Sequence, residues 1–373
     1  MRSVTLLLSF TAVFLACATA ARIPEQIQIH EPVFLPATPG YQYSFPRDHG
    51  SHPDYKVEWW YYTGHLKGSD GRRFGYELTF FRFGLDRRAE SKSSWAIDDL
   101  HAAHFAISQI EEQRFRSFER LQRKGPGIAR TSQGTLDIEN SGWSARLHGD
   151  VMKLRAYAEG ILLEINLKTK KDPIIHGING VSQKADGYGR ASHYYSMTRM
   201  QTQGMLSING NAIRVSGESW MDHEFGTNQL APEQIGWDWF SVQLDNEEEL
   251  MLYQLRNRNG SIDRNSSGTV VAANGRSEHL LIQDFNVSSL QDWKSPKTGV
   301  TYRIDWEIKI PSLDAILRLK PLMEHQELLT TRSTGIVYWE GAVEVSGIWK
   351  GQAVTGRGFV ELTGYSEKDR PNL

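Results

Sequence analysis

Hydrophobic and polar positions alternate with a period of two along most of this 373-residue chain. The segment 55–66 illustrates the pattern, because neighbouring side chains of an extended strand point to opposite faces. Its two faces carry different sets of residues: Val57, Trp59 and Tyr61 on one side, and Glu58, Trp60 and Tyr62 on the other. Turn sequences such as Asn209-Gly210 and Lys350-Gly351 separate further runs of this kind. The pattern predicts an all-β protein built mostly from antiparallel strands.

Three segments depart from this alternation. The composition of Glu111–Lys124 and of Leu313–Met323 is compatible with helix formation, so a short helix is predicted in each. The segment Lys168–Arg190 contains four glycines and precedes a strand rich in aromatic residues. Loops of this length are often functional, and this one is predicted to act as a flap over a pocket.

The length of the chain exceeds that of one small β-domain, which favours a division into two domains. The polar segment Thr227–Glu233 separates two aromatic clusters and is the predicted boundary. The domains are then an N-terminal one at 45–228 and a C-terminal one at 229–373, preceded by an extension at 21–44.

The first twenty residues have the features of a secretory signal. Arg2 supplies the positive end, Val4–Ala16 the apolar run, and small residues precede a cleavage point before Ala21. The protein is therefore expected to be exported, to the periplasm or the extracellular space. An alternative is processing as a lipoprotein at Cys17, which would leave the protein lipid-anchored at the membrane surface.

Composition excludes several classes of function. The single cysteine, Cys17, lies within the signal, so the processed chain has no disulfide and no thiolate metal site. The formal net charge of −2 is not the excess of basic residues that is typical of a nucleic-acid-binding protein. No phosphate loop, dinucleotide fingerprint, Gly-x-Ser-x-Gly elbow or His-Glu-x-x-His motif occurs, so no cofactor and no metal are expected. The 11 Trp, 14 Tyr and 15 Phe suit a β-lined interior for an apolar ligand.

The strongest candidate site lies in the segment 218–226. On a strand, one face carries Trp220, Asp222 and Glu224, and the other Met221, His223 and Phe225. Asp222 has two open interpretations. It either accepts several hydrogen bonds as a structural knot, or desolvation raises its pKa so that it transfers protons to and from a ligand.

Other aromatic and ionisable residues extend this site. Trp237 and Trp239 follow closely, and Trp59, Tyr61 and Glu58 come from the first strand. His193 and Tyr195 share a strand face, which suits a polar pair reaching one ligand, although a packed histidine beside a tyrosine explains them equally well. His101 and His104 have a spacing that could bind metal on a helix, but on a strand they point to opposite faces, so His104 is expected only as a ligand contact.

Several motifs together resemble the AttH-like family of secreted bacterial proteins, over about 45–365. They are Phe45-Pro46-Arg47-Asp48-His49-Gly50, Glu58-Trp59-Trp60-Tyr61-Tyr62-Thr63-Gly64, Glu218-Ser219-Trp220-Met221-Asp222-His223-Glu224-Phe225-Gly226, Gly236-Trp237-Asp238-Trp239-Phe240 and Gly356-Arg357-Gly358-Phe359-Val360-Glu361-Leu362-Thr363-Gly364. The resemblance implies two lipocalin-like (calycin-type) antiparallel β-barrels in tandem. Its wider relatives include carotenoid 1,2-hydratase, kievitone hydratase and fungal Diels–Alderases, and members are often labelled predicted secreted hydrolases.

The hydratase resemblance implies a chemistry in which an acid protonates an alkene, aromatic faces stabilise the cation and water captures it. It assigns catalytic roles to His193, Tyr195, Trp220 and Asp222. The predicted binding site for a lipid or isoprenoid-like molecule, favoured by the density of indoles beside polar groups, consists of Glu58, Trp59, Tyr61, His104, Met221, His223, Glu224, Trp237 and Trp239. A non-catalytic lipid carrier is the alternative. A lipid ester hydrolase is a third reading, for which the sequence contains no nucleophile motif.

Overall fold

The computed structural model describes residues 34–85, 99–125 and 127–366, so the predicted signal and Cys17 lie outside the described residues. The described part consists of strands joined by turns, with short 3-10 helices at Arg47–His49, Ile282–Asp284 and Pro311–Leu313. No helix among these residues is long and apolar enough to cross a membrane. The fold is all-β, as the alternation predicts.

The first antiparallel sheet contains the strands of the chain up to residue 226. These are β1 (Val57–Gly68), β2 (Arg73–Gly84), β3 (Asp99–Gln109), β4 (Arg114–Arg123), β5 (Ala129–Thr131), β6 (Asp137–Asn140), β7 (Trp143–His148), β8 (Val151–Ala158), β9 (Ile161–Thr169), β10 (Ile174–Ile175), β11 (Ser182–Gln183), β12 (Ala191–Ile208) and β13 (Asn211–Gly226). Their order is β4-β3-β2-β1-β13-β12-β9-β8-β7-β6-β5, and β10 and β11 pair with β12.

This sheet curls into a nearly closed barrel. Arg120 on edge strand β4 reaches the opposite end of the sheet, where its guanidinium donates to the carbonyl oxygens of Asn140 at 3.1 Å and Tyr157 at 3.0 Å. Buried apolar side chains such as Trp60, Tyr62 and Trp143 form one cluster on the inner face. The barrel interior is therefore occupied by its own side chains.

The second antiparallel sheet contains the later strands. These are β14 (Gln234–Leu244), β15 (Glu249–Asn257), β16 (Ser267–Val271), β17 (Ser277–Leu281), β18 (Asn286–Lys294), β19 (Thr301–Ile310), β20 (Ala315–Pro321), β21 (Glu327–Thr330), β22 (Ile336–Trp349) and β23 (Gln352–Leu362). Their order is β17-β16-β15-β14-β23-β22-β20-β19-β18, with β21 on β22. Phe240, Trp306, Trp339 and Trp349 belong to its own core cluster. The fold is a tandem of lipocalin-like antiparallel units, and 227–233 connects their sheets.

Both predicted helices are wrong. Most of the segment from Glu111 to Lys124 is strand β4, which pairs with β3 in continuous antiparallel register. The segment around Leu313 contains β20, which lies between β19 and β22. Strand pairing with neighbours distant in sequence outweighs the weak intrinsic preference of either segment for helix.

Candidate functional site

A cavity of about 310 Å³ lies between the two sheets. Aromatic side chains from both sheets form most of its wall: Trp59, Tyr61, Phe81, Phe83 and Tyr194 from the first, and Trp237, Trp239, Tyr253 and Tyr338 from the second. Polar and ionisable groups interrupt this surface: Thr79, His104, Lys184, Asp222, Glu224, Gln229, Ser333, Thr334 and Glu361. A mostly apolar cavity with a few polar groups is typical of a small-molecule site.

A row of polar side chains crosses the wall contributed by the first sheet. Ser196 on β12 lies opposite Asp222 on β13, which lies opposite Tyr61 on β1. Tyr61 lies opposite Thr79 on β2, and Thr79 opposite His104 on β3. Directly opposed residues of antiparallel strands point to the same face. Five neighbouring strands thus each direct one polar group toward the second sheet.

Asp222 is the acidic member of this row, and only 4% of it is exposed. Three side chains donate hydrogen bonds to its carboxylate. Trp220 Nε1 donates to Oδ1 at 2.6 Å, Tyr194 Oη donates to Oδ2 at 2.6 Å, and the Ser196 hydroxyl donates to Oδ1. These donors hold the carboxyl group in one orientation.

Burial raises the pKa of Asp222 from its ordinary value of 3.8 to about 7, although the three donors favour the ionised form. The negative charge of Glu224 acts in the same direction as burial. Asp222 therefore has features of both interpretations. Three donors fix its orientation, as they would for a structural carboxylate, and its raised pKa allows both protonation states near neutral pH. Such a pKa suits a group that gives and takes protons.

A chain of hydrogen bonds extends from Asp222 in both directions. On one side, Ser196 Oγ lies 2.6 Å from His176 Nε2, whose Nδ1 lies 2.8 Å from Thr269 Oγ1. On the other, Trp239 Nε1 donates to Tyr194 Oη at 3.0 Å. Burial lowers the pKa of His176 well below its ordinary value, so this ring is neutral. The chain joins Asp222 to the second sheet through polar groups.

Lys184 brings a cation to the same wall. Its Nζ lies 3.0 Å from Glu224 Oε1, 4.0 Å from the centroid of the Tyr253 ring and 5.0 Å from that of Tyr194. Burial opposes its charge, but the neighbouring carboxylate of Glu224 outweighs burial, and its pKa is raised. Lys184 belongs to the glycine-rich segment predicted as a flap, and that segment supplies part of the cavity wall.

The structure places seven of the predicted site residues in the cavity wall: Trp59, Tyr61, His104, Asp222, Glu224, Trp237 and Trp239. Trp220 lies directly behind Asp222, to which it donates. The predicted alternation on β1 and β13 is confirmed. His104 Nδ1 also lies 2.7 Å from Tyr338 Oη, so it joins the two sheets.

The structure does not bring the other five predicted residues to this cavity: Glu58, His193, Tyr195, Met221 and His223. They occupy the opposite face of the first sheet, because their positions differ by one from those of the cavity residues. Tyr195 Oη lies 2.7 Å from His49 Nδ1 and 3.1 Å from His223 Nδ1. His193 Nδ1 lies 2.9 Å from the carbonyl oxygen of Gly180. The set of His193, Tyr195, Trp220 and Asp222 implied by the hydratase resemblance is thus divided between two faces.

Glu58 is the centre of a closed ion network on that opposite face. Its carboxylate contacts Arg82 Nε at 3.0 Å, His52 Nδ1 at 2.7 Å and His223 Nε2 at 2.9 Å. His52 Nε2 also lies 3.2 Å from Asp48 Oδ1. Burial opposes a charge on His52, but the two carboxylates outweigh it and raise its pKa. The network ties the segment that follows Phe45 to β1, β2 and β13.

Among the residues that the structure describes, one group of three side chains has the spacing of a possible metal site. The donor atoms of His52, Glu58 and His223 all lie within 4.8 Å of one another. The buried guanidinium of Arg82 on the same carboxylate already neutralises Glu58 and opposes a second cation. These residues therefore fit an ion network better than a metal centre.

Sequence reasoning missed several residues around the cavity: His176, Lys184, Tyr194, Ser196, Tyr338 and Glu361. Tyr194 and Ser196 alternate with the predicted His193 and Tyr195, so the period-two pattern contained a signal for them. The remaining four come from distant segments, and only strand register and sheet packing bring them together. His176 and Lys184 fall within the segment predicted as a flap, and Glu361 within one of the motifs that carry the family resemblance, but no local pattern connects any of the four with Asp222.

Comparisons with known proteins agree with this architecture. The model of AttH-like proteins matches residues 36–365. The chain belongs to the AttH-like family. A solved structure of an AttH protein from Nitrosomonas europaea is 32% identical, covers 89% of this chain and 100% of its own, and has a TM-score of 0.81. This similarity places the AttH-like fold across nearly all of the described residues.

More distant relatives of this AttH-like protein carry names of enzymes. Kievitone hydratase from Nectria haematococca is 16% identical, covers 90% of this chain and 98% of its own, and has a TM-score of 0.67, which shows a shared fold. The dehydratase AsqC of Emericella nidulans is 22% identical over 219 residues, which are 57% of this chain. The match spans 60% of the length of that dehydratase.

Proposed function

We propose that this AttH-like protein is an enzyme that performs acid–base chemistry on an apolar, lipid or isoprenoid-like molecule held between its two sheets. The observation that carries the proposal is Asp222, a buried carboxyl group with a pKa of about 7 in the wall of an aromatic cavity. The reactions that fit are hydration or isomerisation of an alkene and dehydration of the corresponding alcohol. The names of the hydratase and dehydratase relatives support this choice.

The proposed reaction uses protein groups alone. Protonated Asp222 gives its proton to one carbon of the alkene, and the π electrons form the new C–H bond. The faces of Trp59, Trp237 and Trp239 stabilise the cation left on the other carbon. Water then forms a C–O bond with this carbon, and its surplus proton returns to the Asp222 carboxylate. Loss of a proton from a neighbouring carbon to the Asp222 carboxylate, instead of water addition, gives an isomerised alkene. The same steps run backwards, with protonation and departure of a hydroxyl group as water and then loss of a proton from carbon, give dehydration.

A non-catalytic carrier is a second candidate, and one observation favours it. Three donors surround Asp222 and orient it as they orient a structural carboxylate. In a carrier the same aromatic wall would hold the ligand without changing it. The substitution Asp222→Asn separates the two functions, because it keeps the shape of the side chain and removes its acidity.

We expect Asp222→Asn to lower turnover by roughly 100-fold or more, the loss typical of a missing general acid, while ligand binding persists. Squalene, lycopene and geranylgeraniol in deuterium oxide serve as probes, and mass spectrometry detects addition or loss of water and uptake of deuterium. Quenching of tryptophan fluorescence reports binding. The matched control is Asp150→Asn, which changes an exposed carboxylate paired with Lys168.

The carrier function predicts a different set of results. Wild-type protein would bind a probe, and the mass of the recovered probe would be unchanged. Asp222→Asn would instead be less stable by about 1–3 kcal/mol, because its amide cannot accept all three hydrogen bonds. Turnover that persists unchanged in a destabilised Asp222→Asn would rule out the catalytic role.

We also propose that the protein is exported, on the basis of the signal-like sequence Met1–Ala20. Expression of the full-length gene in a bacterial host should yield a mature chain that begins at Ala21. Mass analysis of the amino terminus tests this. A mature chain that begins at a diacylated Cys17 would establish the lipoprotein route, and an unprocessed Met1 would contradict export.

A further inference from the structure

The second sheet contributes its own acidic group to the cavity. Glu361 on β23 lies in the cavity wall, directly opposite Glu340 on β22 and opposite Trp239 on β14. Opposed residues share a face and lie close together, so the carboxyl groups of Glu340 and Glu361 are neighbours. Glu77, which approaches from β2 of the first sheet, is also buried and adds a third carboxyl group to the same region.

No cation compensates this cluster among the described side chains. Glu340 and Glu77 are each 1% exposed, and each accepts a hydrogen bond from a hydroxyl group. Tyr61 Oη donates to Glu340 Oε1 at 2.6 Å, and the Thr79 hydroxyl donates to Glu77 Oε1. The second oxygen of each, Oε2, has no hydrogen-bond partner. The neighbouring wall cation, Lys184, is already paired with Glu224.

Glu77 and Glu340 are buried and Glu361 is partly buried. Three such carboxyl groups without a counterion cannot all carry a charge, because loss of solvent and mutual repulsion both favour the neutral acid. The described groups that face Glu361 include no cation: Glu77 from β2, Asp222 and Glu224 from β13, Tyr61 from β1, Tyr338 and Glu340 from β22, and Trp237 from β14. The hydrogen bond from Trp237 favours the ionised form of Glu361, but burial and the neighbouring acids outweigh it. Burial, followed by these like charges, raises the pKa of Glu361 and of Glu340.

A neutral carboxylic acid differs from a carboxylate in the hydrogen bond it makes. It has an O–H group to donate, whereas the ionised form only accepts. In an apolar cavity, the partner that such a donor selects is an acceptor without a proton of its own, of which the carbonyl oxygen is the commonest. An acid held neutral so that it can donate to a substrate oxygen is an established device in enzymes.

We propose that Glu361, backed by Glu340 and Glu77, is a hydrogen-bond donor that recognises a carbonyl oxygen, so that the ligand of this cavity is an apolar ketone or enone. This rests on the proposed function, for which it names the substrate class. Asp222 and Glu361 lie in the same cavity, on different sheets. A ligand that spans them presents its oxygen to Glu361 and its alkene to Asp222.

The test uses β-ionone, a cyclic isoprenoid enone whose strong π→π* absorption band moves to longer wavelength when its oxygen accepts a hydrogen bond. Wild-type protein at pH 6 should bind it with such a red shift. Glu361→Leu should abolish the shift and weaken binding roughly 10-fold, the effect of losing one buried hydrogen bond. Glu344→Leu, an exposed glutamate on the same strand as Glu340, is the matched control and should change neither.

Glu361→Gln provides a second test in case the leucine variant misfolds. Its amide can still donate a hydrogen bond to the ligand but cannot ionise. Wild-type affinity should fall as the pH rises and Glu361 loses its proton, while Glu361→Gln should retain both the shift and its affinity across the same range. Comparing the two variants isolates Glu361 from the titration of Asp222 and Glu77.

Three outcomes would overturn the proposal. They are the absence of a red shift in the wild type, an unchanged shift in Glu361→Leu, and tighter binding of the amine made from β-ionone by reductive amination. The last would identify an ionised cluster that selects cations. Asp222→Asn should leave the red shift intact, so failure of the proton-transfer proposal appears in turnover and failure of this one appears in the spectrum.

Discussion

Replacing Arg82 with Met is expected to lower the free energy of unfolding by about 3–5 kcal/mol. Arg82 is 1% exposed, and its guanidinium contacts Glu58 Oε2 at 3.0 Å and Asp99 Oδ1 at 3.2 Å. It also donates to the carbonyl oxygen of His52 at 2.9 Å. Met fills a similar volume but leaves buried acceptors without their cation, and that uncompensated charge is the source of the loss.

Chemical denaturation of wild type and Arg82→Met measures this change. Arg264→Met is the matched control, because Arg264 also bridges a carboxylate, Asp186, but both side chains are exposed. It should unfold at the same denaturant concentration as wild type, since exposed ion pairs contribute little. Equal behaviour of the two variants would show that the Glu58 network is not what holds this part of the barrel.

Replacing Glu77 with Gln is expected to make the protein more stable than wild type at alkaline pH. Burial raises the pKa of Glu77 from 4.5 to about 8. The folded protein therefore keeps a proton that the unfolded chain releases above about pH 4.5. The stability associated with this proton is complete below pH 4.5 and is lost as the pH rises through 8. The difference between the two pKa values corresponds to roughly 5 kcal/mol at most.

Gln keeps the oxygen that accepts the hydrogen bond from Thr79, and it cannot ionise. The free energy of unfolding of Glu77→Gln, compared with that of wild type, should therefore increase by a few kcal/mol from pH 5 to pH 9. Its buried amide, which takes the place of an oxygen without a partner, adds a constant cost of about 1–3 kcal/mol at every pH. Urea denaturation across this pH range measures the trend. The exposed Glu164→Gln should run parallel to wild type, and a parallel line for Glu77→Gln would contradict a neutral Glu77.

The sequence predicts the strands of this fold well, because side-chain direction follows from counting residues. On β13, the assignment of Asp222 and Glu224 to one face and of His223 to the other needs no knowledge of neighbours. The failed helix at β4 shows the limit of composition. Arg114–Arg123 contains residues acceptable in a helix, and only its partner β3 decides otherwise.

The site itself is predictable only in part. Asp222 and Trp239 stand out locally as an acid and an indole in strands, and both reach the cavity. The row from Ser196 to His104 depends on the register of five strands, which the sequence does not reveal. Glu361 depends further on how the second sheet meets the first. The predicted pairing of His193 with Asp222 does not match the structure, in which the two side chains lie on opposite faces of the first sheet. A shift of one residue along a strand is enough to reverse the direction of a side chain.

The cavity has walls from both sheets, so neither half of the chain contains a complete binding site. A ligand that touches Asp222 and Glu361 together has affinity only for the arrangement in which the halves are joined. By mass action, occupancy then adds its binding free energy to the cohesion of the two halves. Such a ligand would stabilise the association of the two halves reversibly, by an amount that increases with its free concentration.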